Sequence, residues 1–269
     1  MTVMGSLFSL FNVTVVRDGK RILGPLDLSV DEGESIAVIG RNGSGKTTLS
    51  MLMKKEISPY YDELAQSYLT ILGRKDWDLF ELRKIIVSVS TDDERFFDPY
   101  RTVGEVILSG MFGSDGIYPI HDVTRDMVSR MSEIMAAVDL DVTPDREFGT
   151  LSQGERRSAM IARALMPCPK VMILDEPTNS LDPIASASFI RMIDGLISKG
   201  ISVIMVTHRL EDIPRNIGRV IGMKDGLKVA DGKKEDVLTS ECVSEIYGSS
   251  VKVYSDEGMF ALSTISENL

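Results

Sequence analysis

Cysteine is scarce. The 269 residues hold only Cys168 and Cys242, too few and too far apart for a disulfide framework and without metal-ligand spacing. They read as two reduced thiols in a reducing cytoplasm. Long apolar runs are missing as well. Nothing approaches the ~18 consecutive apolar residues that cross a bilayer. The opening Leu7-Phe8-Ser9-Leu10-Phe11 is short with no basic residue before it, so it reads as an early strand and not as a secretion signal. Basic residues are outnumbered, 30 Lys+Arg against 40 Asp+Glu, for a net charge of −10. A field of that sign repels nucleic acid and anionic headgroups, so no nucleic-acid partner is expected. A small anion in an amide-lined pocket stays allowed. There is no internal repeat and no linker-like stretch.

What is present is ordinary for a globular chain: 43% hydrophobic and 26% charged residues, in a length that buries a sizeable core. Apolar strand-like runs alternate with helical patterns, which predicts an α/β fold built on a mixed sheet flanked by helices. Ser35–Ile39, Val171–Leu174 and Ile201–Val206 read as buried strands, and each ends in polar residues. In open α/β sheets the carboxyl ends of strands carry the ligand. Between about Phe80 and Thr150 the pattern turns helical. Thr102-Val103-Gly104-Glu105 is a capping box. Met127, Met131, Ile134, Met135 and Val138 recur at helical spacing, a stripe that reads as core packing. After Gly226 short strands and turns are expected, and the last dozen residues are expected to fray.

Chemistry concentrates in three segments. Gly40-Arg41-Asn42-Gly43-Ser44-Gly45-Lys46-Thr47 fits G-x-x-x-x-G-K-[ST], between an apolar strand and a helix running on through Thr48. Glycines there let successive N–H groups curl around phosphate oxygens. Lys46 reaches the outer phosphates, the Thr47 hydroxyl ligates Mg²⁺, and the helix dipole points at the same anion. Val171–Leu174 delivers Asp175 and Glu176, then Pro177. An acid at the end of a buried strand is costly unless it meets a cation, so Asp175 reads as a Mg²⁺ holder and Glu176 as a general base for an attacking water. Ser152-Gln153-Gly154-Glu155 is a second capping box before the helix through Ile161-Ala162-Arg163-Ala164-Leu165. It either caps a helix and nothing more, or offers a second anion site at a helix N-terminus.

These motifs, in this order, resemble those of ATP-binding cassette (ABC) ATPases, from about Val13 to Gly248. Asn179-Ser180-Leu181-Asp182 is similar to that family's D-loop, and His208 to its switch histidine. The resemblance implies one nucleotide-binding domain over 1–269. Its α/β core would span about 1–80 and 165–250, and its helical subdomain about 80–165. It implies Mg·ATP as ligand and a head-to-tail homodimer on ATP binding, in which Ser152–Glu155 of one copy meets the γ-phosphate held by Lys46 of the other. His208 would bond that phosphate and position water. Asp182-Pro183 reads as a helix cap that also serves the dimer interface.

The sequence departs from the family pattern in places. Gln153 and Glu155 stand where Gly and Gln are commoner. The adenine-stacking aromatic falls near Arg17, whose guanidinium plane either stacks on the ring or simply sits in a solvated turn. Thr91 replaces the Q-loop glutamine, a Mg²⁺ ligand. Either a water oriented by Thr91, Asp92 or Asp93 fills that metal position, or Thr91 ends a strand facing solvent. A weaker likeness, carried by Thr91 and Gly104–Gly110, points to the molybdenum- and iron-type cassettes. The implied role is to energise an integral membrane permease from the cytoplasmic face. The alternative is a soluble ABC ATPase with a regulatory or assembly role. A P-loop small-molecule kinase is disfavoured, because it would not need Ser152–Glu155.

Overall fold

The computed structural model describes residues 5–60, 66–91 and 93–264; Asp92 lies outside them. In chain order the elements are β1 (Ser6–Arg17), β2 (Lys20–Asp31), β3 (Ile36–Ile39), α1 (Lys46–Met53), β4 (Tyr68–Ile71), α2 (Leu79–Ile85), β5 (Ile86–Ser90), α3 (Val103–Leu108), α4 (Arg125–Ala137), α5 (Gln153–Leu165), β6 (Val171–Asp175), α6 (Pro183–Ser198), β7 (Ser202–Thr207), β8 (Arg219–Lys224), β9 (Leu227–Lys233), α7 (Lys234–Val237), α8 (Ser240–Tyr247), β10 (Val251–Asp256) and β11 (Met259–Thr264). The fold is α/β. Among the described residues no helix is long and apolar enough to cross a membrane.

The chain forms two compact units, one of residues 1–79 with 202–269 and one of residues 80–201. In the first, β3 lies between parallel β7 and β8, and β9 adds antiparallel to β8. All of β3 and β7 is buried, which is why both read as continuous apolar runs. A second, antiparallel sheet runs β2-β1-β4. Its hairpin turns on Asp18-Gly19, both with positive φ, the two-residue Asp-Gly turn whose twist matches the strands it joins.

In the second unit β5 and β6 pair in parallel, Ile86 with Val171 through Ser90 with Asp175. The unit runs on to residue 201, so that it holds β6 and α6. The Thr102 capping box opens α3. On α4 the methionine stripe buries Met131, Ile134 and Met135, while Met127 is half-buried.

Two expectations need correction. The region after Gly226 is not only strands and turns. Thr239 caps α8 through its side chain, Gly248 ends it at φ 61, and Val243 and Ile246 are buried. Eight residues give two apolar turns, too few for the helical period to stand out. Nor do the last dozen residues fray as a block. β11 pairs along its length with β10, Val251 with Thr264 through Asp256 with Met259, around the turn at Glu257-Gly258. Residues 265–269 lie outside the described set.

Candidate functional site: a phosphate loop and two strand ends

In the first unit, buried β3 leads into Gly40 and α1 starts at Lys46. Gly45, the residue capping α1, is left-handed (φ 99) and supplies no side-chain hydrogen bond. Side-chain capping thus leaves the first N–H groups of the helix to an anion. A Cβ on Gly40 would lie 2.3 Å from the Met223 carbonyl and 2.6 Å from Ser44 Oγ, so only glycine lets the loop curl this tightly. Inside the curl Ser44 Oγ is buried without a hydrogen-bond partner. An orphaned buried hydroxyl is costly, and a phosphate oxygen would satisfy it. Lys46 is 5% exposed, and its Nζ donates to the carbonyls of Gly40 (2.8 Å) and Arg41 (3.0 Å), across the loop. Arg41, Asn42, Gly43 and Thr47 face solvent, and Thr48 is half-buried. A glycine cradle, a buried cation and an orphaned hydroxyl fit a polyphosphate.

The loop rests on a turn that sequence reasoning overlooked. Gly226, between β8 and β9, donates its N–H to the Ser44 carbonyl at 3.0 Å and accepts from Gly24 N–H at 2.7 Å. The signal was available: Asp225-Gly226 is the same Asp-Gly hairpin dipeptide as Asp18-Gly19, again with both φ positive.

His208 follows β7. The register sets Ile39 against Thr207, so Gly40 and His208 leave neighbouring parallel strands together. Thr207 is fully buried. Its hydroxyl donates to Asp212 Oδ2 (3.1 Å) and accepts from Arg209 N–H (3.0 Å), while the Tyr247 hydroxyl donates to the His208 carbonyl (2.7 Å). The histidine backbone is therefore clamped on both sides. Tyr247 had no signal in the sequence, since it reaches this strand end from the overlooked helix α8. Arg17 is exposed beside the Asp18-Gly19 turn.

In the second unit, residues 171–174 of β6 are fully buried and hand over to half-buried Asp175 and Glu176. Glu176 has φ 50. The Thr91 hydroxyl donates to the Glu176 carbonyl at 3.1 Å. Thr91 therefore sits at the strand end beside the acid pair. Asp93 accepts the Ser90 N–H at 2.7 Å through Oδ2. Asp182 caps α6, its Oδ1 accepting from the N–H groups of Ile184 (2.8 Å) and Ala185 (2.9 Å), with Pro183 in the first turn.

At the start of α5 the box is closed in both directions. Ser152 Oγ accepts from Glu155 N–H (3.2 Å), and Glu155 Oε2 accepts from Ser152 N–H (2.7 Å). Arg146 Nη1 sits 3.0 Å from Glu155 Oε1. The Ser152 amide, more than the guanidinium, holds the Glu155 carboxyl below the ordinary glutamate pKa. Ser152 and Gln153 are exposed, and Gly154 is half-buried. Behind them Arg157, 2% exposed, donates Nη1 to the Ser90 carbonyl (2.9 Å) and pairs through Nη2 with Glu94 Oε1 (3.3 Å). Sequence reasoning gave no role to Arg157 or Glu94. Their only trace was a basic residue on an otherwise apolar helix face.

A family model described as ABC transporter matches residues 23–179. The ABC transporter ATP-binding protein YlmA of Bacillus subtilis (strain 168) is 32% identical over 254 residues, 92% of this chain and 93% of that protein. The ABC transporter ATP-binding protein ModF of Escherichia coli (strain K12) is 35% identical over 208 residues, 76% of this chain and 41% of that longer protein. Among solved structures, the ADP conformation of MJ1267, an ATP-binding cassette of an ABC transporter, superposes with a TM-score of 0.76 at 25% identity, covering 90% of this chain and 98% of that one. With the Gly40–Thr47 loop, the acid pair and the capped start of α5 standing beside these matches, the chain belongs to the ABC transporter family of ATP-binding cassettes.

Proposed function

We propose that the chain binds Mg·ATP and hydrolyses it as a head-to-tail homodimer, energising an integral membrane permease from the cytoplasmic face. The observation that carries the nucleotide reading is Ser44 Oγ, buried and unsatisfied inside a loop whose backbone only glycine permits. Gly40 to Gly45 and the first turn of α1, with Thr48, cradle the phosphates. Lys46 turns from its carbonyl partners to the outer phosphate oxygens, and Arg17 lays its guanidinium plane on the adenine. Thr47 and Asp175 would hold Mg²⁺, which would supply neutralisation of the phosphate charge. Glu176 takes the proton from a water whose oxygen attacks the γ-phosphorus while the bond to the β–γ bridging oxygen breaks, releasing ADP and phosphate. His208 bonds the γ-phosphate and orients that water. Ser152, Gln153, Gly154 and Glu155 of a second copy close over the same phosphate.

Two measurements test the proposal. Lys46→Ala should abolish ATP binding in equilibrium titration while the thermal midpoint without nucleotide stays near wild type. Affinity capture from membrane extracts should recover a multi-span membrane protein. Wild-type ATP affinity in Lys46→Ala would defeat the site. Capture without a membrane protein would favour the soluble regulatory role.

A further inference from the structure

Thr91 stands one residue beyond β5 and Glu176 one beyond β6, and the register pairing Ser90 with Asp175 brings the two out side by side. The Thr91 hydroxyl donates to the Glu176 carbonyl at 3.1 Å, and the same carbonyl accepts the Asn179 N–H at 3.2 Å. Glu176 needs such anchoring. It is a residue with a Cβ in the left-handed region (φ 50), and it precedes proline, which narrows its choices further. A conformation of this kind persists only where the surroundings over-determine it. The Glu176–Pro177 peptide has no N–H, so its carbonyl is its only polar handle, and two donors grip it.

Thr91 is itself held. Arg157, buried on α5, donates to the Ser90 carbonyl and pairs with Glu94, while Asp93 accepts the Ser90 amide. Burial raises the Glu94 pKa and, on the other side, lowers that of Arg157. The pair is thus desolvated, where an ion pair is screened least by solvent.

We propose that Thr91 is a positioning residue for Glu176: its hydroxyl fixes the Glu176–Pro177 peptide and so aims the Glu176 carboxylate, and the Arg157–Glu94 pair keeps Thr91 in register. This rests on the reading of Glu176 as general base. It differs from a role at the metal, because the contact goes to the backbone of the base.

Steady-state hydrolysis is measured against ATP and against Mg²⁺ for wild type, Thr91→Val and Thr91→Ser, with ATP affinity as the check of folding. Single-turnover hydrolysis is then measured for Glu176→Gln with and without Thr91→Val. Thr91→Val should lower kcat about 2- to 12-fold, the factor expected of one lost hydrogen bond, with KM for ATP and the Mg²⁺ half-saturation unchanged. Thr91→Ser, which keeps the hydroxyl, should restore most of the rate. On Glu176→Gln, Thr91→Val should cost nothing more, because no base is left to aim. A wild-type kcat in Thr91→Val overturns the proposal. So does a shifted Mg²⁺ half-saturation, which would move Thr91 to the metal, or an undiminished loss on Glu176→Gln. Normal turnover by Glu176→Gln alone defeats the general-base reading itself. A wild-type rate in Thr91→Val beside a disabled Glu176→Gln defeats only the positioning role.

Discussion

Gly226 carries no reactive group, yet the phosphate loop leans on it. Its φ is +77, and an added Cβ would stand 2.7 Å from the Ile22 carbonyl. Gly19 has a similar φ of +73 with nothing within 4 Å of an added Cβ. The pair separates two costs. Gly19→Ala should lose only the left-handed backbone preference, about 1–2 kcal/mol. Gly226→Ala should lose that and more, and should also weaken ATP binding, since its N–H holds the Ser44 carbonyl. Urea midpoints and ATP titrations of both variants decide this; equal losses with equal ATP affinity would mean that the turn does not prop the loop. For Glu176, exchange to Gln should keep ATP bound and cut turnover by the ~10²–10⁴ typical of a missing general base, read by separate binding and hydrolysis assays. At this scale the sequence announces residues whose chemistry is unusual for their place, such as Lys46 after a glycine run or Asp175 after an apolar strand. It is silent about residues that act through backbone atoms. Gly226, Thr91 and Arg157 each touch a carbonyl of a residue distant in sequence; the sequence marks Gly226 only as a turn and Thr91 only as a break in the family pattern, and it encodes none of the three contacts.

Elements were legible where a side chain closes a local bond. The capping boxes at Thr102 and Ser152 and the Asp182-Pro183 start of α6 each satisfy orphan N–H groups within four residues, so the pattern and the structure coincide. Helix α8 and strand β11 were missed because they are short and take their stability from packing and pairing. The Ser152 box makes a measurable contribution. Ser152→Ala should cost about 0.5–2 kcal/mol of stability as a lost cap, seen in urea denaturation without nucleotide. Glu155 adds a pH signature. Its folded pKa is depressed, so its stabilisation is present above the ordinary glutamate value of about 4.3. It is lost as pH falls through the lower folded value. Glu155→Gln keeps an acceptor for the Ser152 amide but not the charge. Its stability deficit against wild type should therefore show near neutrality and close in acid. A deficit that is constant from pH 7 to pH 3 would mean that the carboxylate charge has no part in the cap.

At the scale of the whole molecule, the two surfaces proposed to bind phosphate lie in different compact units. The phosphate loop belongs to the unit of residues 1–79 and 202–269, and Ser152–Glu155 to the unit of residues 80–201. In the proposed head-to-tail dimer each surface would gain a partner, with ATP as the bridge. Net charge opposes this encounter, since each copy carries −10 and approaches another of the same sign. The opposition is long-range and screened, with a Debye length of about 30 Å at 0.01 M salt and about 8 Å at 0.15 M. The bridge itself is short-range and desolvated, so salt weakens it less. Glu176→Gln protein should therefore be monomeric without nucleotide and dimeric with Mg·ATP. Its rate of ATP-driven association should rise as salt goes from about 0.01 M to 0.15 M, because the repulsion between copies is screened first. Ser152→Arg should stay monomeric at every salt concentration, because the arginine fills the anion site and removes the cap. Light scattering reads the mass and stopped-flow scattering the rate. A dimer that forms without ATP, or that tolerates Ser152→Arg, would break the head-to-tail arrangement. Association that slows as salt rises would instead show that local attraction between the facing surfaces outweighs the charge of the whole chain.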